Sequence, residues 1–231
     1  MSKCINCSAP LPSNSIECEY CGSRNDTDLK GIHHFTTHEP ESDRICPKCN
    51  ISLRTIDLKV HGKFLIQRCD LCLGLFFDPG ELEALLDASV QHVYAINLKK
   101  LDNINKAMTP RETKVMYIKC PVCSNLMNRS SFGAKSGVIV DRCKEHGIWL
   151  NGGELRHLFE WRKAGGKLLH EQREAEKKEL EKKEQESKAL ERNIYSEQID
   201  LSGYTMSGSR SRKDDVDIID VLKGVASWLL Q

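Results

Sequence analysis

Residues 120–155 read CPVCSNLMNRSSFGAKSGVIVDRCKEHGIWLNGGEL, and this segment contains the residues from which the fold can be predicted. It holds two pairs of metal-binding side chains, Cys120 with Cys123 and Cys143 with His146, and two residues separate the members of each pair. This spacing lets the backbone turn tightly, so that both donor atoms of a pair reach the same ion. Two such knuckles complete a tetrahedron, and the stretch therefore predicts a zinc-clasped hairpin.

Two further groups of four ligands precede this stretch. All eleven cysteines and one histidine fall into three sets: Cys4, Cys7, Cys18 and Cys21; Cys46, Cys49, Cys69 and Cys72; and Cys120, Cys123, Cys143 and His146. Ten residues separate the two pairs of the first set, and nineteen separate the pairs of the second and of the third. These spacings are typical of structural zinc sites, so we expect three Zn²⁺ ions held by twelve side chains.

The cysteine count favours metal over disulfides. Eleven is an odd number, the chain opens without an apolar secretory signal, and it has no run of about eighteen apolar residues that would span a membrane. A reducing cytosol keeps thiols free. We therefore expect a cytoplasmic protein without a membrane span, in which the thiolates bind metal.

The second and third ligand sets belong to an internal repeat. The motif CPKC at residues 46–49 lies over CPVC at residues 120–123 at an offset of 74 residues. After the last ligand the offset is 73, and residues 74–82 lie over residues 147–155. Alternating apolar residues ahead of the second knuckle of each copy predict a strand that returns from a hairpin. Each copy is therefore predicted to be a small antiparallel sheet.

A helix is expected after each ribbon. Asp78 and Asn151 are favourable N-cap residues, and Glu81 and Glu154 follow three positions later. A glutamate at that position can accept a hydrogen bond from the cap amide. We therefore interpret both carboxylates as capping groups and not as acid–base catalysts.

These motifs resemble the transcription factor IIB-type zinc ribbons, whose pattern is C-P-x-C, a hairpin, C-x-x-C or C-x-x-H, then G-[IV]-W-[LF]-[DN] and G-E-L. Residues 143–155 match this pattern closely, and the first copy has Phe76 where the family has tryptophan. The resemblance covers residues 46–86 and 120–159. It implies zinc and the ribbon fold and, less directly, a role connected with transcription. Residues 1–25 resemble a shorter zinc ribbon, in which metal supplies most of the folding free energy.

The predicted fold class is a multi-module α+β chain: three small metal-stabilised β-hairpin zinc ribbons joined by α-helices, with a helical and partly disordered C-terminal region. The modules are expected at residues 1–25 (short ribbon), 26–44 (solvated linker containing His33, His34 and His38), 45–108 (second ribbon and amphipathic helix), 117–164 (third ribbon and helix), 167–195 (charged helix), 196–213 (flexible linker) and 214–231 (amphipathic C-terminal helix).

Helical periodicity adds three expectations. Apolar residues recur every three to four positions over residues 82–101 and predict one continuous amphipathic helix. His92 and His157 have no partner at ligand spacing and are expected on helix surfaces. Residues 214–231 carry an apolar face with four aspartates near the start, which favours a protein groove over an anionic membrane. Docking of this helix in cis and in trans both remain open.

The predicted function is that of a non-enzymatic, zinc-binding adapter or regulatory protein. Each ligand set supplies four donors, whereas a catalytic zinc keeps an open position. Eleven thiolates and three zinc ions would change the formal net charge from +1 to about −4, which disfavours nonspecific DNA binding. We expect a protein partner, bound through the ribbons or the C-terminal helix, and no small-molecule substrate.

Two alternatives stay open at this point. The first is a nucleic-acid-binding transcriptional regulator that uses cations at the hairpin tips, namely Lys59, Lys63, Lys135 and Arg129. The second is a rubredoxin-like iron module built on the two all-cysteine sets.

Overall fold

A computed structural model of the protein describes residues 2–12, 15–29, 35–39, 41–60, 63–90, 93–106 and 115–203. The chain divides into two compact units, Met1–Lys177 and Lys178–Gln231. All three ligand sets belong to the first unit. The expected C-terminal helix at residues 214–231 lies outside the described residues, as do His33, His34 and His92.

The first ribbon is a small two-stranded sheet. Strand β1 (Ser2–Lys3) pairs antiparallel with β2 (Pro10–Leu11), and an isolated bridge joins Glu17 to Arg24. The buried apolar side chains of this ribbon are Cys4, Leu11 and Cys18, and two of these three are metal ligands. Packing therefore contributes little to this module apart from the metal site.

The second and third ribbons form one seven-stranded sheet. Its strands are β3 (Thr36–Glu39), β4 (Arg54–Asp57), β5 (Leu65–Arg68), β6 (Leu75–Phe77), β7 (Asn128–Ser131), β8 (Ile139–Cys143) and β9 (Gly147–Leu150). The spatial order is β3-β4-β5-β6-β9-β8-β7, and all neighbouring strands are antiparallel. The predicted return strands are present as β5 and β8. The two copies were each expected to form a small sheet of their own. They instead form one continuous sheet.

A local two-fold relation joins the two copies at the centre of this sheet. Strand β6 pairs with β9, and Phe76 lies opposite Trp149, which is its own counterpart in the repeat. Leu75 lies opposite Leu150, and Phe77 lies opposite Ile148. Each strand therefore presents the same surface to the other, as in a symmetric dimer interface.

The faces of the sheet carry two different cores. Within the described residues, α1 (Glu81–Ser89) and α2 (Leu98–Lys106) lie between β6 and β7, and α3 (Glu154–Lys163) and α4 (Gly166–Gly203) follow β9. Leu75, Phe77, Ile148 and Leu150 pack in one buried cluster with apolar residues of α1, α2 and α3. Phe76 and Trp149 belong to a second buried cluster, together with cysteines of the second and third ligand sets. This division follows from the two-residue period of a strand.

The predicted continuous helix over residues 82–101 is wrong, because the chain forms two helices. Helix α1 ends at Ser89 and α2 begins at Leu98. Between them, the amide of Asn97 donates to the carbonyl of Ala164 at 2.9 Å, and its side-chain oxygen accepts from the amide of Lys100 at 2.9 Å. Asn97 therefore caps a new helix and docks it against the end of α3.

The charged helix extends further than predicted. Helix α4 runs to Gly203, so residues 196–203, which were expected in a flexible linker, are helical. Adding residues to an existing helix needs no new nucleation, and the run contains no proline. The remainder of the expected linker, residues 204–213, lies outside the described part of the chain. No helix within the described ranges is both long and apolar enough to cross a membrane.

The predicted solvated linker after the first ribbon begins as a buried segment. Leu29 is fully buried in the cluster that contains the apolar residues of α1, α2 and α3, and Asp28 is 3% exposed. The Asp28 carboxylate accepts hydrogen bonds from the amides of Gly153 at 2.6 Å and Arg156 at 2.9 Å. These amides belong to the start of α3, so the segment supplies that helix with a cap from outside. Further along the expected linker, Thr36–Glu39 forms β3.

The capping prediction is correct in one part and wrong in another. The amide of Asp78 donates to Glu81 Oε2 at 2.8 Å, and the amide of Asn151 donates to Glu154 Oε2 at 2.8 Å. The N-cap residues themselves are Gly80 and Gly153, which adopt left-handed φ angles of 83° and 91°. Neither N-cap residue caps its helix with a side-chain hydrogen bond. The chain thus makes an extra turn before each helix begins.

His157 is not a helix-surface residue. Its side chain is fully buried, and its Nε2 atom lies 2.8 Å from the Ser136 carbonyl oxygen and 3.3 Å from Asn105 Oδ1. It joins α3 to α2 and to the loop that precedes β8. Sequence spacing correctly separated it from the metal ligands but did not reveal this burial.

Candidate metal centres

The six knuckles share one feature of their backbone conformation. The residue after the second ligand has a positive φ in every case: Ser8 at 59°, Gly22 at 66°, Asn50 at 56°, Leu73 at 55°, Ser124 at 60° and Gly147 at 116°. A positive φ is unusual for a bulky residue such as Leu73. The metal-binding turn therefore determines this conformation, and local residue preference does not.

Backbone amides within the knuckles point at the sulfur atoms. The amide of Asn6 lies 3.4 Å from Cys4 Sγ, that of Cys49 lies 3.4 Å from Cys46 Sγ, and that of Val122 lies 3.4 Å from Cys120 Sγ. Hydrogen bonds of this kind favour the charged form of a thiol. The turns therefore support thiolate ligands as well as positioning them.

The donor atoms are spaced as a tetrahedral zinc site requires. The structure brings the twelve predicted ligands together in the three predicted sets, and within each set the donor atoms lie within 4.8 Å of one another. Sulfur–sulfur separations are 3.6 Å for Cys4 and Cys21, 3.7 Å for Cys46 and Cys72, and 3.8 Å for Cys123 and Cys143.

These separations identify metal sites rather than disulfides. Zinc–sulfur bonds of about 2.3 Å in a regular tetrahedron place two sulfurs about 3.8 Å apart, whereas a disulfide holds them at about 2.05 Å. In the third set, His146 Nδ1 lies 3.4 Å from Cys143 Sγ and supplies the fourth donor. Three zinc ions fit these residues, and a Cys3His set favours zinc over iron.

Each set contains a thiol that is already acidic. The pKa of Cys4 is lowered to about 5, chiefly by a hydrogen bond with the Ser23 side chain. The Cys72 thiol lowers the pKa of Cys46 to about 5. The pKa of Cys143 is lowered to about 6: desolvation opposes this shift, and the amides of Glu145 and His146 produce it. Metal binding at each set therefore starts from a thiolate.

Two residues near the first metal site were not singled out by sequence reasoning. Ser23 Oγ lies 3.1 Å from Cys4 Sγ and 3.0 Å from Cys21 Sγ. Asn25 accepts a hydrogen bond from the amide of Ile5 at 2.9 Å and is itself 2% exposed. Both follow the last cysteine within four residues, where polar side chains can orient ligands. Their position shortly after Cys21 was the sequence signal that could have identified them as residues near the metal site.

The surroundings of the three sites differ. Cys7 and Cys21 of the first site are exposed, whereas every cysteine of the second and third sites is at least partly buried. Phe76 and Trp149 pack in the cluster that contains both of these sites. Gly74 allows this arrangement, since a Cβ atom there would lie 2.2 Å from Trp149 Cζ2. The second and third sites therefore share one core.

Comparison with known families identifies two of the three ribbons. The family described as transcription factor zinc-finger, the TFIIB-type zinc ribbon, matches residues 45–88 and 119–160. No curated protein and no solved structure matches the chain. Both matched ranges contain one complete ligand set together with the strands that carry it and most of the following helix. Residues 45–88 and 119–160 are therefore two TFIIB-type zinc-ribbon copies, and a shorter cysteine cluster that fits a third ribbon precedes them.

Proposed function

We propose that this protein is a non-enzymatic, zinc-stabilised adapter that binds other proteins, in a process connected with transcription. The observation that carries the proposal is the composition of the metal sites, because each set contributes four donor atoms. Four protein ligands saturate a tetrahedral zinc ion and leave no position for water or substrate. The metal then shapes surfaces, and those surfaces carry the recognition. Reducing conditions, as in the cytoplasm, would keep the thiolates available.

The cations suggested for nucleic-acid binding support this choice, since three of the four have partners within the protein. Lys63 Nζ lies 3.3 Å from His38 Nε2, and Lys135 Nζ lies 3.1 Å from Asp102 Oδ1. Arg129 donates to the carbonyl of Met116 at 3.1 Å. Phosphate binding needs cations that are available and clustered. The hairpin tips therefore favour a protein partner over a nucleic acid.

The first experiment measures the binding of labelled single- and double-stranded oligonucleotides to the zinc-loaded chain by fluorescence anisotropy as salt is raised. We expect no micromolar binding at physiological ionic strength. Micromolar binding with a steep salt dependence, weakened by Lys59→Glu with Lys63→Glu, would contradict the adapter role. The matched control places the same charge change on the exposed helix, as Lys178→Glu with Lys188→Glu.

The second experiment is a reconstitution. A protein that co-purifies with the zinc-loaded chain should bind that chain when the two are purified separately and mixed. Removal of zinc from the chain by a chelator should abolish this binding. Binding that is unaffected by complete removal of zinc would show that the ribbons do not carry recognition.

A further inference from the structure

The repeat provides an internal comparison that points to one surface. Around the first knuckle of the third ribbon, five large apolar side chains are exposed: Val115, Met116, Tyr117, Val122 and Leu126. Tyr117 and Leu126 are 67% and 68% exposed. We call this set the knuckle patch. Large exposed apolar patches mark interaction sites, whereas single exposed apolar residues are common on any protein.

The second ribbon is polar at all five equivalent positions. The offset of 74 residues relates the knuckle patch to Glu41, Ser42, Asp43, Lys48 and Ser52. The equivalence holds in three dimensions: the pair Arg54 with Arg68 recurs as Asn128 with Arg142 in the same register. A ribbon with polar residues at these positions forms the same strands, so folding does not require the apolar ones. Their presence in the third ribbon calls for another role.

The backbone holds the knuckle patch on the outside of the third ribbon. The amide of Met127 donates to the carbonyl of Ile118 at 2.9 Å, and both side chains are buried. Neighbouring residues of a strand alternate between faces. Tyr117 and Leu126 therefore lie on the outer face of this short hairpin. The hydrogen bond from Arg129 to the Met116 carbonyl fixes the segment that leads into it.

A cation lies within the same surface. Lys119 is exposed and forms a bridge pair with Leu126 across the hairpin. It makes no ion pair with any residue in the described ranges. The equivalent position in the second ribbon is Ile45. The apolar side chains of the knuckle patch thus lie beside the positive charge of Lys119. The second ribbon lacks this combination.

We propose that the knuckle patch is the docking site for a protein segment that presents apolar side chains beside an aspartate or glutamate. The apolar side chains would cover Tyr117 and Leu126, and the carboxylate would pair with Lys119. This inference rests on the proposed adapter function and names the surface that performs it. Binding would partly remove water from Lys119 and from the partner's carboxylate. The pair would then favour partners that carry a carboxylate at this position over partners that do not.

The test selects ligands from a random peptide library displayed on phage, using the full zinc-loaded chain as the target. The control is a patch variant that carries the residues of the second ribbon, namely Val115→Glu, Met116→Ser, Tyr117→Asp, Val122→Lys and Leu126→Ser. Zinc content and thermal unfolding of this variant establish that it folds. The selected peptides are then synthesised with a fluorescent label, and their affinities are measured by anisotropy.

We expect the selected peptides to combine apolar and acidic residues. The patch variant should weaken their binding at least tenfold, and Lys119→Glu alone should weaken it about tenfold, which corresponds to about 1.4 kcal/mol. A patch variant that still holds three zinc ions while losing the peptides would support the inference.

Three results would overturn it in distinguishable ways. Peptides that bind the parent chain and the patch variant equally would place recognition elsewhere and leave the adapter function intact. No enriched peptide, together with salt-sensitive oligonucleotide binding, would overturn both proposals. A parent chain that self-associates through these residues, or gains peptide affinity when residues 204–231 are removed, would show that the patch is occupied by a second copy or by the chain itself.

Discussion

The first ribbon and the joined second and third ribbons use the same knuckles but depend on metal to different degrees. The buried apolar residues of the first ribbon are Cys4, Leu11 and Cys18. The other two ribbons share a sheet, a helix-covered core and a second core around their metal sites. Zinc therefore supplies most of the folding free energy of the first ribbon. In the joined pair, zinc and apolar burial act together.

The largest effect is expected from breaking one metal site in each region. Cys18→Ser and Cys69→Ser should each reduce the zinc content from three ions to two, because both remove a ligand of a four-donor set. Structural zinc contributes about 10 kcal/mol or more. Cys18→Ser should unfold the first ribbon and leave the sheet of the joined pair intact. Cys69→Ser should also loosen the third ribbon, since β6 is the neighbour of β9.

Hydrogen exchange resolved by region, together with zinc quantification, distinguishes these outcomes. Normal protection of the third ribbon in Cys69→Ser would contradict the coupling of the two ribbons. Equal and global loss of protection in both variants would contradict the separation of the first ribbon from the rest.

The next effect concerns the contact between the joined ribbons. Gly74→Ala places a Cβ atom 2.2 Å from a ring carbon of Trp149, which is fully buried. Overpacking of this kind costs about 1 to 3 kcal/mol. Gly80→Ala is the control: it meets no atom within 4 Å and tests only the left-handed backbone at φ 83°. That conformation alone costs about 1 to 2 kcal/mol for alanine.

Chemical unfolding followed by tryptophan fluorescence measures both variants. Gly74→Ala should also lower the zinc affinity of the second and third sites, which Gly80→Ala should leave unchanged. Identical behaviour of the two variants would show that Trp149 moves aside without consequence and that the shared core does not couple the sites.

A smaller, pH-dependent effect is expected where the segment after the first ribbon joins α3. Burial raises the pKa of Asp28 from 3.8 to about 6, against the opposing hydrogen bonds from Arg156 and Gly153. Because the folded-state pKa is raised, the contribution of Asp28 to stability is greatest at low pH. It is lost as pH rises from about 4 to about 6, by up to about 1.4 kcal/mol per pH unit, and no further loss is expected at higher pH.

The measurement is the free energy of unfolding of the zinc-loaded protein between about pH 4 and pH 7, and the slope should be confined to the part below about pH 6. Asp28→Asn should remove this part of the pH dependence. The charges of Asp26 and Arg68 also affect the pKa of Asp28, but less than burial does. Asp26→Asn therefore serves as the control and should retain most of the pH dependence. Parallel curves for the parent and Asp28→Asn would contradict the assignment.

The smallest effect is expected at the reach-back bonds of the two copies, and it should be larger at Glu154, which also accepts a hydrogen bond from the Asn151 side chain at 3.2 Å. Glu81→Ala and Glu154→Ala each remove a hydrogen bond of 2.8 Å to the backbone just before a helix. Loss of a capping interaction costs about 1 kcal/mol. Thermal unfolding compares these variants with Glu83→Ala, an exposed residue of α1. Losses no greater than that of Glu83→Ala would show that the reach-back bonds contribute nothing measurable.

Short-range sequence patterns are sufficient to predict the local features of this protein. The twelve ligands, the repeat at an offset of 74 residues and the return strands before Cys69 and Cys143 all follow from short-range spacing. Zinc chemistry imposes a fixed donor number and tight knuckles, so the spacing of the ligands is sufficient to predict a ribbon. The reach-back bonds of Glu81 and Glu154 were predictable for the same reason, since their partners are three residues away.

Contacts between distant parts of the chain are visible in the three-dimensional structure and not in the sequence. The pairing of Phe76 with Trp149, the cap that Asp28 supplies to α3, and the burial of His157 join residues that are distant in sequence. The break between α1 and α2 has the same origin, because Asn97 bonds to the end of α3. Such contacts depend on the packing of whole elements against one another, and no local pattern of residues encodes that choice.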